Sequence, residues 1–121
     1  MNTIRMHIED MLVGAFEGGS NYWYWINDWE HIKKATPAMK GEPFVMRVMQ
    51  ALDMGLTLDI YDAEDETEKL GTLSWDSCVK ALDLMKENHE VHYLNLIAEE
   101  GDAETADVFL QLAVLGELTF G

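Results

Sequence analysis

The chain has 121 residues, of which 48% are hydrophobic, and its formal net charge is −15. This length and composition suit one domain with one core, and no apolar run approaches the roughly 18 residues of a membrane-spanning helix. The charge repels nucleic-acid phosphates and anionic membranes, so we expect the chain to bind neither directly. The N-terminus lacks a signal-peptide pattern, and the single cysteine suits a reducing compartment. We therefore predict a soluble cytoplasmic protein.

The N-terminal segment, residues 2–16, is predicted to form a helix, because apolar residues recur at three- and four-residue spacing. We expect Gly18 and Gly19 to end this helix through a left-handed residue. Four consecutive aromatic residues follow, and they predict a short strand over residues 22–26. The apolar stripe of the helix consists of Ile4, Ile8, Met11, Leu12, Ala15 and Phe16.

The aromatic run allows two interpretations. In the first, which we favour, the rings belong to the core, and the two faces of the strand pack against the N-terminal helix and the C-terminal helices. In the second, the rings form a binding surface that stacks on a nucleobase or a peptide side chain, with polar residues as anchors. The candidate ligand-binding residues are Ser20, Asn21, Tyr22, Trp23, Tyr24, Trp25 and Trp29.

The middle of the chain alternates between helical and extended patterns. Residues 27–34 predict one or two helical turns, and the two prolines in 35–43 predict a loop. We expect a short helix over 44–55, although the start of this segment also resembles a strand. Strand periodicity over 56–62, followed by a polar turn and a second strand over 69–75, predicts a β-hairpin.

The C-terminal half is predicted to be helical. Asp102 suits the N-cap of the last helix, and Gly116 lies just beyond its end. The final residues, 117–121, are predicted to form a terminal edge strand. The whole pattern predicts a single α+β domain over residues 1–121, in which about four helices cover a small antiparallel sheet made of the hairpin and the aromatic strand. The three C-terminal helices are expected over residues 76–88, 90–100 and 102–115.

The sequence contains no motif that we associate with catalysis or metal binding. Residues 62–73 fail as an EF-hand loop, because Thr67 replaces the required glycine and Leu73 replaces the bidentate glutamate. His89 and His92 share a helical face but lack two further zinc ligands. Phosphate-binding glycine loops and serine-hydrolase motifs are absent from the sequence. We therefore predict a protein that is not an enzyme and that has no metal and no cofactor.

Two stretches near the ends of the chain, AFEGGSNYWYW and DAETADVFLQLAVLGELTFG, resemble a family of short uncharacterised proteins of bacteriophages and prophages. The resemblance covers Glu17 to Trp23, the segment from Leu58 to Glu66, and Ala106 to Glu117. This family has no settled activity, so the resemblance assigns no catalytic residue. It implies a small phage-encoded accessory protein that acts in the cytoplasm of an infected bacterial host.

In that context, the charge predicts an inhibitor of a host defence or nucleic-acid-binding complex, of anti-CRISPR or nucleic-acid-mimic type. Its partner would be a host protein whose basic surface accepts carboxylates in place of phosphates. The alternatives are a solvated acidic surface without a partner and a small-molecule or nucleotide-binding protein that uses the aromatic cluster. A third is a structural or regulatory component of the phage particle or its replication machinery, which self-associates through the apolar strand ends or the methionine-rich segment 39–54. The candidate partner-binding residues are Asp62, Glu64, Asp65, Glu66, Glu68, Glu99, Glu100, Asp102, Glu104 and Asp107.

Overall fold

The structure is a computed structural model that describes residues 2–121. Within this range, six helices and a three-stranded antiparallel sheet form an α+β fold, as predicted. No helix in the described range is both long and apolar enough to cross a membrane. The elements are α1 (Asn2–Gly14), β1 (Tyr24–Trp25), α2 (Glu30–Ala35), α3 (Phe44–Asp53), β2 (Leu58–Asp62), β3 (Lys69–Leu73), α4 (Trp75–Asn88), α5 (Glu90–Ile97) and α6 (Ala103–Leu115).

The sheet has the strand order β1-β2-β3. The predicted hairpin is confirmed, with Leu58 opposite Leu73 and an irregularity in the register between Ile60 and Tyr61. The aromatic strand is shorter than predicted, since only Tyr24 and Trp25 pair with β2. The start of β2 follows the expected period of two, because Leu58 and Ile60 are buried while Asp59 between them and Tyr61 after them are partly exposed.

Helix α6 is the central helix of the fold. Its residues from Thr105 to Ala113 are all buried, and it packs against α1, α4, α5 and β3. A helix that is buried on all sides needs an apolar circumference. The sequence VFLQLAV supplies this, with Gln111 as the polar exception.

Two glycines allow other segments to approach the backbone of α6. A Cβ atom on Gly19 would lie 2.6 Å from the carbonyl oxygen of Ala103. A Cβ atom on Gly71 in β3 would lie 2.2 Å from the carbonyl oxygen of Val114. Both distances are shorter than van der Waals contact, so each close approach requires glycine.

The end of α1 differs from the prediction. The helix does not end through a left-handed residue, because Gly18 has a φ of 163°. It widens instead into a π-helical turn over residues 15–19, in which the Ser20 N–H donates to the Ala15 carbonyl at 3.0 Å. The apolar stripe of α1 is buried except at its first residue, Ile4, which is 41% exposed.

Both predicted ends of α6 are confirmed, whereas the edge strand after it is wrong. The Asp102 carboxylate accepts a hydrogen bond from the Thr105 N–H at 2.9 Å, and Gly116 is left-handed with a φ of 81°. Residues 117–121 form no strand. Their backbone N–H groups at Thr119 and Phe120 donate to the Gln111 side chain, which takes the place of a neighbouring strand.

Candidate functional site

Asp107 in α6 is the centre of a buried hydrogen-bond network. The residue is 8% exposed, and both of its carboxylate oxygens accept hydrogen bonds. Oδ1 accepts from Ser20 Oγ at 2.7 Å and from Trp23 Nε1 at 2.7 Å. Oδ2 accepts from the Tyr22 hydroxyl and from Gln111 Nε2 at 3.1 Å. Four donors therefore compensate for the loss of water around this carboxylate.

The Asp107 network joins the two end segments on which the resemblance rests. Ser20 and Trp23 belong to the first segment, and they lie 87 and 84 residues from Asp107 in the chain. The first segment is folded for this contact, because the Trp23 N–H donates to the Ser20 carbonyl at 3.1 Å and closes a turn. The two stretches thus form one structural unit across the fold.

Gln111, one turn after Asp107, extends the network to the C-terminal tail. Its Nε2 donates to the Phe120 carbonyl at 3.1 Å, while its Oε1 accepts from the Thr119 N–H at 2.8 Å and the Phe120 N–H at 2.9 Å. The Phe120 ring stacks on Trp23, with ring centroids 5.3 Å apart and planes 11° apart. The amide of Gln111 and this stacked pair therefore fix the tail against α6 and the aromatic run.

Three predicted binding residues are corrected by this network. Asp107 was expected on an acidic surface, but the periodicity of α6 places it among buried residues, where it is bound by side chains of the same molecule. Ser20 and Trp23 were candidates for ligand binding, yet both are buried, and their polar atoms donate to Asp107. All three stabilise the fold and are inaccessible to a partner.

The remaining aromatic candidates do not form one binding surface. Tyr24 packs edge-on against Phe16 with centroids 5.2 Å apart, which confirms its predicted contact with the N-terminal segment. Tyr22 and Trp25 are 53% and 45% exposed. Asn21 is also exposed, and together with Tyr24, Trp25 and Ile26 it lines a shallow cleft of about 350 Å³.

Trp29 lies apart from this cleft and has other neighbours. Its ring packs edge-on against the Phe44 ring, with ring centroids 4.8 Å apart. Lys33 Nζ lies 5.0 Å from the ring centroid, and the guanidinium carbon of Arg47 lies 5.7 Å from it. These cation–π contacts occupy the ring, so its predicted role in ligand stacking does not fit its surroundings.

The hairpin turn, residues 62–68, carries one of two groups of exposed predicted site residues. Glu64, Asp65, Glu66 and Glu68 are exposed, and Asp62 is partly exposed. The ion pairs found among residues 2–121 involve Glu9, Glu30, Asp53 and Asp59, and none involves this turn.

The backbone of the acidic turn is held in one conformation. Asp62 Oδ1 accepts from the Glu64 N–H at 2.7 Å, and the Asp65 N–H donates to the Asp62 carbonyl at 3.2 Å. The hydroxyl and N–H of Thr67 donate to Asp65 Oδ1 at 2.6 and 3.0 Å, and they lower the pKa of Asp65. Asp65 is therefore ionised well below neutral pH.

A second acidic group surrounds the start of α6. Glu99, Glu100, Asp102 and Glu104 are exposed there, as the sequence predicts. The backbone and side-chain donors of Thr105 lower the pKa of Asp102, which is the N-cap. Both acidic groups adjoin the segment that contains the aromatic run.

The contacts of this segment show how it lies between the two acidic groups. At the hairpin, the Ala63 N–H donates to the Trp23 carbonyl at 2.9 Å, and the Asn27 side chain donates to the Glu66 carbonyl. At the start of α6, Gly19 contacts Ala103. The fold therefore places exposed carboxylates at both ends of one stretch of surface that also contains Tyr22 and Trp25.

The histidines and the cysteine form no site with these residues. His92 Nδ1 lies 3.0 Å from Thr105 Oγ1, and His89 lies between α4 and α5. Burial raises the pKa of the Cys78 thiol to about 12, so it is protonated and unreactive at neutral pH. Across the part of the chain that the structure describes, no three His, Cys, Asp or Glu side chains are grouped to hold a metal ion.

Comparison with known proteins finds no matching family model, no curated relative and no similar solved structure. The resemblance to phage proteins therefore stays a prediction from the two end segments.

Proposed function

We propose that this chain is a non-enzymatic binding protein whose acidic surface occupies a basic surface of a partner protein. The partner class that fits best is a nucleic-acid-binding complex, because a groove that binds phosphates offers closely spaced cations to carboxylates. In the phage context that the end segments suggest, the chain would act as an inhibitor in the cytoplasm of the host. The observation that carries this proposal is the acidic turn, whose five carboxylates are not paired with cations among the described residues.

The fixed backbone of the turn supports this role. A loop that is already ordered loses little conformational entropy on binding, so more of the interaction energy appears as affinity. The hydrogen bonds of Asp62, Asp65 and Asn27 supply that order. Exposed Trp25 beside the turn adds the aromatic surface that protein interfaces favour.

The test is an affinity pull-down of tagged protein from a bacterial lysate at low and high salt, read by mass spectrometry. We expect a nucleic-acid-binding complex to be retained at low salt and released at high salt, because exposed ion pairs are screened. The triple variant E64Q/D65N/E66Q is expected to lose this complex.

A matched control separates the turn from net charge. The variant E42Q/E87Q/E117Q also removes three exposed carboxylates, but none of them lies in the turn. It should retain the complex. Equal loss with both variants would show that only total charge matters, and retention with the turn variant would refute the proposal.

A second candidate function is the binding of a planar small molecule in the cleft of Asn21, Tyr24, Trp25 and Ile26. The half-exposed indole of Trp25 favours it, since a free aromatic face can stack on a nucleobase. Titration with a panel of nucleosides and nucleotides should then quench tryptophan fluorescence in the native chain but not in the W25F variant. No quenching across the panel would eliminate this candidate.

A further inference from the structure

A groove made of two neighbouring depressions lies along α1, and none of its lining residues belongs to the acidic turn. Two depressions of about 270 and 290 Å³ follow one another along the helix, and both are lined by His7 and Leu96. The first reaches Thr3 near the start of α1, and the second reaches Gly14 at its end. Thr3 and Gly14 are eleven positions apart, which corresponds to about 16 Å along a helix. The groove is therefore long enough for roughly three helical turns of a partner.

In the first half of the groove, the floor is made of apolar positions that the core leaves uncovered. Ile4 and Ile97 line its first half and are 41% and 45% exposed. Val79 and Leu82 of α4 are only partly buried and line the same half. Exposed apolar surface of this kind, concentrated in one concavity, is characteristic of a binding groove.

The exposed apolar surface continues from the groove onto the outer face of α5. Leu94 and Val91 precede Ile97 at three-residue intervals, and they are 57% and 72% exposed. Residues three apart are neighbours on a helix surface, so this stripe extends the apolar area beyond the groove.

Carboxylates are the acidic groups of the groove lining, which also contains the polar side chains of Thr3, His7 and Tyr93. Asp83 lines the first half, while Asp10 and Glu99 line the second. Over the described range, no lysine or arginine lines either half. An occupant therefore needs an apolar face for the floor and positive charge for the rim.

We propose that this groove binds a basic amphipathic helix of a partner protein. Such a helix places apolar residues at three- and four-residue spacing on one side and lysine or arginine on the other, which matches an apolar floor with an acidic rim. A second copy of this chain is a poorer match, because both copies carry −15 and repel each other. Anionic membranes are repelled for the same reason.

The test uses a fluorescein-labelled synthetic peptide of about 18 residues, with leucines at helical spacing and lysines elsewhere. Fluorescence anisotropy measures its affinity for the full chain, and a scrambled peptide of the same composition measures non-specific attraction. We expect the amphipathic peptide to bind at least about tenfold more tightly than the scrambled peptide, because only its apolar side can cover the floor.

Variants locate the binding surface. I4Q/I97Q removes apolar floor, and we expect about a tenfold weaker Kd. V91Q is the matched control, since Val91 is more exposed but does not line the groove, and its Kd should stay within about twofold. D83N/D10N should weaken binding and reduce its dependence on salt.

Several outcomes would overturn the inference. They are equal affinity for the scrambled peptide, equal effects of I4Q/I97Q and V91Q, or sedimentation that shows a dimer disrupted by I4Q/I97Q. Circular dichroism of each variant establishes that it is folded before its affinity is interpreted. The turn variant E64Q/D65N/E66Q should bind the peptide within about twofold of the native chain, so failure of the groove and failure of the acidic turn are distinguished.

Discussion

Asp107 and the carboxylates of the acidic turn carry the same chemical group in opposite environments. Asp107 is buried in α6 and accepts hydrogen bonds from four side chains, whereas Glu64 and Glu66 are exposed in a polar loop. Removal from water makes the first carboxylate dependent on its donors, and solvation leaves the others free to bind a partner. The position of an acidic residue in this chain therefore decides whether it is hydrogen-bonded inside the fold or solvated at the surface.

The aromatic run contacts both the buried carboxylate in α6 and the acidic turn that carries the exposed ones. Towards α6, the run provides donors from Ser20, Tyr22 and Trp23 to one buried carboxylate. Towards the hairpin, it contacts the backbone of the acidic turn and exposes Trp25. One side of the segment fixes the fold, and the other side presents surface.

The largest expected effect is that of D107A on stability. The variant leaves the buried donors of Ser20 and Trp23 without an acceptor, so we expect the free energy of unfolding to fall by about 3 kcal/mol. Urea denaturation followed by circular dichroism measures it. E66A is the control and should change the free energy by less than about 0.5 kcal/mol. Similar values for the two variants would contradict the distinction between buried and exposed carboxylates.

Q111A should have the next largest effect. It removes the acceptor of the Thr119 and Phe120 N–H groups, and we expect a loss of about 2 kcal/mol in the free energy of unfolding. Amide hydrogen exchange should also become faster at these two positions, because their N–H groups then face water. Unchanged exchange at Thr119 and Phe120 would mean that the stacking of Phe120 on Trp23 holds the tail without the amide.

Y22F should cost about 1 kcal/mol, since it removes one of the four donors to Asp107. Partial desolvation of the hydroxyl and its hydrogen bond to the Asp107 carboxylate raise the pKa of Tyr22 to about 12, from an ordinary value of 10.0, although the residue as a whole is 53% exposed. Below about pH 10 the hydroxyl is protonated in both the folded and the unfolded chain, and its contribution is complete.

Between about pH 10 and 12, the unfolded chain releases this proton first, so stability falls as pH rises through that range. Absorbance at 295 nm should show a late tyrosinate transition that is missing in Y22F. If Y22F titrates like the native chain, the hydrogen bond between Tyr22 and Asp107 does not control this group.

The turn variant E64Q/D65N/E66Q should have little effect on stability. The three side chains are exposed, and we expect the free energy of unfolding to change by less than about 1 kcal/mol. Thermal unfolding measures it beside D107A. A large loss of free energy of unfolding would show that the turn stabilises the fold. It would contradict the difference between buried Asp107 and the exposed carboxylates of the turn.

The sequence predicted helical structure in the segments of all six α-helices, and it predicted the hairpin, because each has a local signal. Hydrophobic periods of 3.6 and 2 depend only on neighbouring residues, and the caps at Asp102 and Gly116 are set by short-range hydrogen bonding and by left-handed backbone. The exposure of the acidic turn was predictable for the same reason, since a charged loop between two strands has no apolar face to bury.

The burial of Asp107, Ser20 and Trp23 depends on contacts between residues more than 80 positions apart, which no local pattern contains. The prediction of a strand for the tail was wrong because the partner of its backbone N–H groups is the side-chain amide of Gln111 rather than a neighbouring strand. The groove along α1 likewise exists only because α1, α4 and α5 pack together without covering Ile4 and Ile97. The sequence by itself determined which segments are helices, strands and charged turns. Only the tertiary structure decided which polar groups are paired inside and which apolar groups stay outside, because each outcome depends on what distant segments bring to the same place.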